Sequence, residues 1–296
     1  MSNQNSNPNN TKKPLNGKLI AIICAAVLAA GGITTGVVLS LNGKKQPEPE
    51  ESSVIVTEAP TEAVTDAETE PVTEAATEKP ELTERARELL KQNPETVGWI
   101  TVDKTKVDNP VVQCGDNEYY LDHSFEREPF RAGTVFMDYR DVFGADEDKQ
   151  SENIILYGHN MANNTMFGSL RRYRQDLNYY KEAPFITLES NYRVYDYVIF
   201  GLVITEGSAS ATWRYWDMEN LSMRPQFNAY VETVHQKNMV KIPVDVRYGD
   251  RLLTLSTCYS DKDDSRFLIV ARRFRTGETK EDFLALLAEE NETKAE

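Results

Sequence analysis

Cysteine and histidine are scarce in this chain: its 296 residues contain three of each. The cysteines are Cys24, Cys114 and Cys258, and the histidines are His123, His159 and His235. Their spacing excludes the common transition-metal patterns, because no C-x-x-C, H-x-x-x-H or H-E-x-x-H occurs. The acid-rich stretch "GDNEYYLDHSFERE" lacks the ligand spacing of a calcium-binding EF-hand loop. Glycine-rich phosphate cradles are missing, as is the G-x-S-x-G turn that presents a nucleophilic serine. No metal and no cofactor is therefore expected.

Positive charge is also in short supply. Lysine and arginine number 33 against 47 acids, for a formal charge of −14. Residues 1–45 hold five lysines and no acid, and residues 46–80 hold ten acids and one lysine, which leaves −10 of that total for residues 81–296. An acidic body argues against nucleic acid as a partner, since phosphate binding needs a basic footprint.

Only one long apolar run is present. Leu19–Leu41, "LIAIICAAVLAAGGITTGVVLSL", has 23 residues and no charge. A helix of that length spans roughly 34 Å, enough for a bilayer core of about 30 Å. It is read as an uncleaved membrane anchor over 19–41, with residues 1–18 as a cytoplasmic tail. A cleaved signal peptide is the alternative, although its apolar region usually covers only about 7–15 residues. Three lysines precede the run and two follow it, a weak bias toward a body outside the cell membrane. The next segment, 42–80, repeats Thr-Glu and Glu-Ala between Pro47, Pro49, Pro60, Pro71 and Pro80. Like charges and proline keep such a chain extended, so it is read as a disordered stalk. A partner-binding acidic tail is the other reading of this segment.

The body, 81–296, reads as mainly β with inserted helices. "ELTERARELLKQN" is a helix that ends at Asn93-Pro94. Short apolar runs follow at "VGWITV", "NPVVQ", "GTVFMD", "NIILYG", "FITLES", "YRVYDYVIFGLVIT", "DRLLTLSTC" and "RFLIVARRF". Helices are expected at "NTMFGSLRRY", with Met166, Leu170 and Tyr173 in step, and in the insertion before the last two strands. There Phe227, Tyr230, Val231 and Val234 form a stripe. "KEDFLALLAEE" closes the chain as a terminal helix. The elements do not alternate as in a doubly wound sheet, and a closed barrel accommodates them better.

Three residues could carry chemistry. Cys258 ends the strand "LLTLSTC", and Arg266 opens the strand after it. If those strands pair as a hairpin, thiol and guanidinium share one mouth. The cation would then favour the thiolate and could donate to a developing oxyanion. His159 stands where "NIILYGHN" leaves its strand, a setting for an acid or base. Taken one at a time, each residue also has a bland reading, as a buried small hydrophobe, a solvated charge or an exposed loop imidazole. A Cys114–Cys258 disulfide is open as well.

"TLSTC" followed by "RFLIVA", with "YGHN" about a hundred residues earlier, resembles the sortases, membrane-anchored cysteine transpeptidases of Gram-positive cell surfaces. "VDNPVVQCGDNEYYLDHSF", "GTVFMDYR" and "NIILYGHNMANNTMFGSL" are similar to the class B branch, and the likeness runs over roughly residues 85–275. It implies an eight-stranded sortase barrel with Cys258, His159 and Arg266 in one groove, and with Ser256 and Thr257 lining it. Cys258 would attack the carbonyl of a threonine in the C-terminal sorting motif of a secreted protein. His159 would protonate the leaving amine, and Arg266 would hold substrate and oxyanion. The acceptor amine would come from peptidoglycan or from a pilin lysine.

Two rivals remain in view. An L,D-transpeptidase sets its cysteine in Ser-x-Gly-Cys-x-Arg, which "LSTCYSD" does not match. A stalked, non-catalytic binding module would need no free thiol.

Overall fold

A computed structural model describes residues 80–217, 221–258 and 264–293. The expected tail, anchor and stalk lie outside the described residues, except for Pro80.

Eight strands close a barrel. They are β1 (Thr96–Val102), β2 (Asp108–Val112), β3 (Phe136–Met137), β4 (Asn153–Tyr157), β5 (Phe185–Ser190), β6 (Val194–Glu206), β7 (Leu252–Cys258) and β8 (Ser265–Arg273). The order around the barrel is β1-β2-β3-β4-β7-β8-β6-β5, closed by antiparallel pairing of β1 with β5. The helices are α1 (Glu84–Gln92), α2 (Arg172–Gln175), α3 (Tyr179–Glu182), α4 (Arg224–Lys237) and α5 (Lys280–Thr293).

Local sequence explains most of these boundaries. Thr83 caps α1 by accepting from the Ala86 amide at 3.1 Å, and Asn93 ends the helix in an extended conformation before Pro94. In β1 buried and half-buried residues alternate, with Ile100 and Val102 directed inward, as a strand facing a core on one side requires. β4, β7 and β8 instead are buried on both faces along nearly their whole length. That pattern suits strands with the barrel core on one side and a covering layer on the other.

The covering layer includes α4. Phe227, Tyr230, Val231 and Val234 are all buried, as their spacing predicts. The Tyr230 hydroxyl bonds Thr254 Oγ1 at 2.8 Å, and Asn153 Nδ2 donates to the same hydroxyl at 3.4 Å. The insertion between β6 and β7 is thereby tied to the first residue of β4 and the third of β7.

Two details differ from the sequence reading. The stretch "GTVFMD" contributes only the two residues of β3. "NTMFGSLRRY" is not one helix: Met166 has φ of 50°, outside the helical region, and helical structure begins with a 3-10 turn at Gly168–Arg171 that runs into α2. The run "YRVYDYVIFGLVIT" forms one strand, β6, of 13 residues, as expected.

Candidate active site

Two strand ends build the site. β4 and β7 run parallel, in register from Asn153↔Leu252 to Tyr157↔Ser256. Parallel neighbours need a long crossover, so residues far apart in sequence emerge side by side at one rim. His159 leaves the end of β4, and Cys258 is the last residue of β7. The β7–β8 hairpin places Arg266 directly opposite Cys258. The hairpin expected from the sequence thus forms in the register that brings thiol and guanidinium together.

Cys258 is exposed, and His159 and Arg266 are half-buried. The neighbouring imidazole holds the Cys258 thiol below the ordinary cysteine range, against the opposing effect of partial burial. The Arg266 charge pulls it the same way. For His159 the bond to Cys258 raises the imidazole above its usual value. Partial burial opposes that rise, the Leu121 carbonyl supports it, and the like charge of Arg266 opposes it. The two shifts have one cause, an attraction between thiolate and imidazolium, and the protons of such a pair leave in steps that belong to the pair.

The Leu121 carbonyl also settles which nitrogen does what. It lies 2.7 Å from His159 Nε2 and can only accept, so the Nε2 proton is committed there. Nδ1 is left to exchange a proton with the thiol. Leu121 ends a 3-10 turn, Tyr119–Leu121, on a loop held from below by Asn93. The Asn93 amide, fully buried, donates to the Tyr120 hydroxyl and to the Phe125 carbonyl, each at 2.8 Å. Asn93 is therefore more than a helix terminator.

The end of β4 is braced by a buried carboxylate. Asp138 accepts from Tyr157, from Asn117 and from the Arg140 guanidinium, at 2.8–2.9 Å. Burial acts to raise this carboxyl, but those donors outweigh it and hold it below its usual range.

Two glycines earn their places by close approach. Gly158 takes no left-handed turn. A Cβ there would meet the Phe167 ring at 2.9 Å, so packing rather than turning requires glycine. A Cβ on Gly207 would lie 2.8 Å from the Arg266 guanidinium carbon, so this glycine leaves the arginine its room.

Ser256 and Thr257, expected to line the groove, are buried at 2% and 5% exposure. The Ser256 hydroxyl bonds Tyr215 at 2.6 Å, and Thr257 Oγ1 has no hydrogen-bond partner among the described residues. Neither presents a free surface to a ligand. Cys114 and Cys258 are both free, so no disulfide joins them. His235 is exposed on α4, and the His123 ring stacks on Tyr119 at 4.1 Å. Neither joins the site. A cavity of about 740 Å³ borders His159 and Asn160, with Leu121, Asp122, Arg131, Met161 and Ala162 completing its lining.

Sequence reasoning missed Asn93, Leu121 and Asn160. The second acts through its backbone, which carries no residue-type signal. Asn160 acts through a bond to the Cys258 carbonyl, a backbone atom that no residue pattern marks.

A closed mixed barrel with an exposed thiol paired to an imidazole at its rim is the architecture of a cysteine enzyme. The sequence pattern of the Sortase domain family matches residues 100–274. Sortase B of Listeria monocytogenes is 35% identical over 183 residues, which cover 62% of this chain and 70% of that protein. Sortase B of Staphylococcus aureus is 32% identical over 62% of this chain and 72% of its own length. Among solved structures, the Staphylococcus aureus sortase B–substrate complex matches with a TM-score of 0.58 at 28% identity, covering 66% of this chain and 87% of that one. Bacillus anthracis sortase B in complex with AAEK1 matches with a TM-score of 0.56 at 31% identity, covering 67% and 88%. The chain belongs to the sortase family, on its class B branch, and is a cysteine transpeptidase. That membership removes the L,D-transpeptidase and binding-module readings.

Replacing His159 with alanine removes the partner that stabilises the thiolate. The pH at which Cys258 ionises, followed by ultraviolet absorbance of the thiolate, is expected to move upward. An unchanged titration would show that the imidazole does not set it.

Proposed function

We propose that this enzyme cleaves a C-terminal sorting motif after threonine and transfers the acyl group to an amine of the cell wall or of a pilin. The pairing of Cys258 with His159, with Arg266 in register opposite, carries the reading.

The chemistry divides into two steps. Cys258 Sγ, as thiolate, attacks the threonine carbonyl, and the carbonyl electrons move onto oxygen. Arg266 donates to that oxyanion, and its planar fork suits the task better than a point charge. His159, as imidazolium, gives its Nδ1 proton to the leaving amine as the C–N bond breaks, and a thioester remains on Cys258. An incoming amine then loses a proton to the neutral imidazole as it attacks the thioester, and Cys258 leaves as thiolate. Charge and protons are restored at the end. The cavity beside His159 offers the incoming amine room next to its base. Ser256, through its bond to Tyr215, and the buried Thr257 beside it would support this site from beneath rather than touch substrate.

Residues 19–41 would anchor the enzyme in the cell membrane by a single pass, and 42–80 would hold the catalytic domain off the outer face. The sorting-motif proteins and the wall or pilin amine are then within reach. Membrane fractions should retain the full chain after alkaline carbonate extraction and release a chain lacking residues 1–45. Recovery of both in the soluble fraction would remove the anchor.

The activity is tested with the full chain in detergent and peptides containing Asn-Pro-x-Thr-x and Pro-x-Thr-Gly cores, with and without triglycine. Cleavage after threonine is expected, together with a triglycine-ligated product when the amine is present. Cys258→Ala should abolish both. Arg266→Lys should lower turnover by about 100-fold, the typical cost of one oxyanion donor. Cleavage that survives Cys258→Ala would refute the assignment.

A further inference from the structure

Asn160 makes a bond that the backbone would ordinarily make. The last registered pair of the β4–β7 ladder is Tyr157↔Ser256, and one more backbone bond follows it, from the Gly158 N–H to the Ser256 carbonyl at 3.2 Å. In a parallel ladder the next donor on that side is the N–H two residues on, that of residue 160, and its acceptor is the carbonyl of residue 258. The bond to the Cys258 carbonyl is made, but by the Asn160 side chain: Nδ2 donates at 3.1 Å. A side-chain amide reaches further than a backbone N–H. The chain at 159–160 can therefore stand away from β7, which leaves space for an imidazole at the thiol.

The other end of this amide is also engaged. Its Oδ1 accepts from Arg171 Nη2 at 3.1 Å. An asparagine amide turned by half a rotation would aim its oxygen at the Cys258 carbonyl, and a carbonyl cannot donate. Arg171 has only donors, so it permits one orientation of the amide. Arg171 is fixed in turn by the Met161 carbonyl at 2.5 Å and the Gly168 carbonyl at 2.7 Å. The loop closes on itself where the Phe167 N–H meets the His159 carbonyl at 3.0 Å. Within it Asn164 and Met166 hold left-handed backbone, with φ of 67° and 50°, a conformation that asparagine tolerates and methionine rarely adopts.

We propose that Asn160, oriented by Arg171, is a positioning residue for the reaction. Its amide ties the turn that carries His159 to the strand end that carries Cys258, and so sets the distance between base and nucleophile. This rests on the reading of Cys258 and His159 as the reacting pair.

A tie that only stabilised the fold would, once cut, lower the melting temperature and leave the thiol's titration as it was. A positioning tie moves the titration and turnover. The test uses the full chain in detergent and three variants. Asn160→Ala removes the tie. Asn160→Gln keeps an amide on a longer arm. Arg171→Lys keeps the charge, but one ammonium cannot serve the Asn160 oxygen and both carbonyls with the guanidinium's planar geometry. The readouts are the pH dependence of iodoacetamide alkylation at Cys258 and the kcat and KM for a cleaved peptide.

Asn160→Ala should shift the alkylation profile to higher pH and lower kcat by roughly 10- to 100-fold, with KM within about two-fold, as misplacement of a reacting group does. Arg171→Lys should move both in the same direction by less, and Asn160→Gln should recover part of the loss. An unchanged alkylation profile and kcat in Asn160→Ala would overturn the proposal. So would a loss of activity that tracks the melting temperature with the titration unmoved. If Asn160→Ala does not fold, Arg171→Lys decides by the same two readouts. If the wild-type chain cleaves no peptide, the proposed activity fails by itself, and the alkylation titration still decides the tie.

Discussion

The parallel pairing of β4 with β7 is the constraint on which the site depends. It joins two strands separated by a long crossover and sets their ends level, so that Asn160 and Cys258, 98 residues apart in sequence, are hydrogen-bonded. Parallel pairs are buried on both faces, which accounts for the burial of nearly every residue of "NIILY" and "LLTLST", the polar ones included. The apolar interior keeps the two strands rigid. The reacting groups stand where the strands run out, just past Gly158 and at Cys258. The hairpin from β7 to β8 then adds the guanidinium by register alone, since Arg266 is the residue facing Cys258.

The charges at the rim form a balanced set. Thiolate and imidazolium stabilise each other. Arg266 favours the first and disfavours the second, so the arginine tunes the pair as well as standing ready for an oxyanion. The Leu121 carbonyl acts the other way on the imidazole, because a protonated Nε2 is what it binds. The loop bearing Leu121 is held by Asn93, at the end of α1. Position of the base thus depends on elements from the first helix to the fourth strand, although none of those side chains need take part in chemistry.

Much of this was legible in the sequence, and the remainder was hidden for definable reasons. The hairpin, the stripe of α4 and the closed barrel follow from apolar periodicity, because burial imposes it. Cys258, Arg266 and His159 stood out because each sits where an apolar run begins or ends. The covering of Ser256 was hidden for a related reason. Proximity to Cys258 suggested contact with substrate, but covering by Tyr215 from a distant insertion is a tertiary fact that strand periodicity does not encode. Met166 looked helical by spacing, while its backbone is bent the other way by the loop bonds around Arg171. The roles of Leu121 and Asn160 rest on hydrogen bonds to backbone atoms, which no residue pattern announces.

Covalent capture of substrate on the thiol tests the account at its centre. The full chain would be mixed with a cleaved sorting-motif peptide in the absence of amine, quenched in acid, digested and mapped by mass spectrometry. An acyl adduct ending in threonine, on Cys258 and on no other residue, is the predicted result. It should disappear when triglycine is added before the quench. Cleavage without any adduct on Cys258, or an adduct carried by Cys114 instead, would contradict the account.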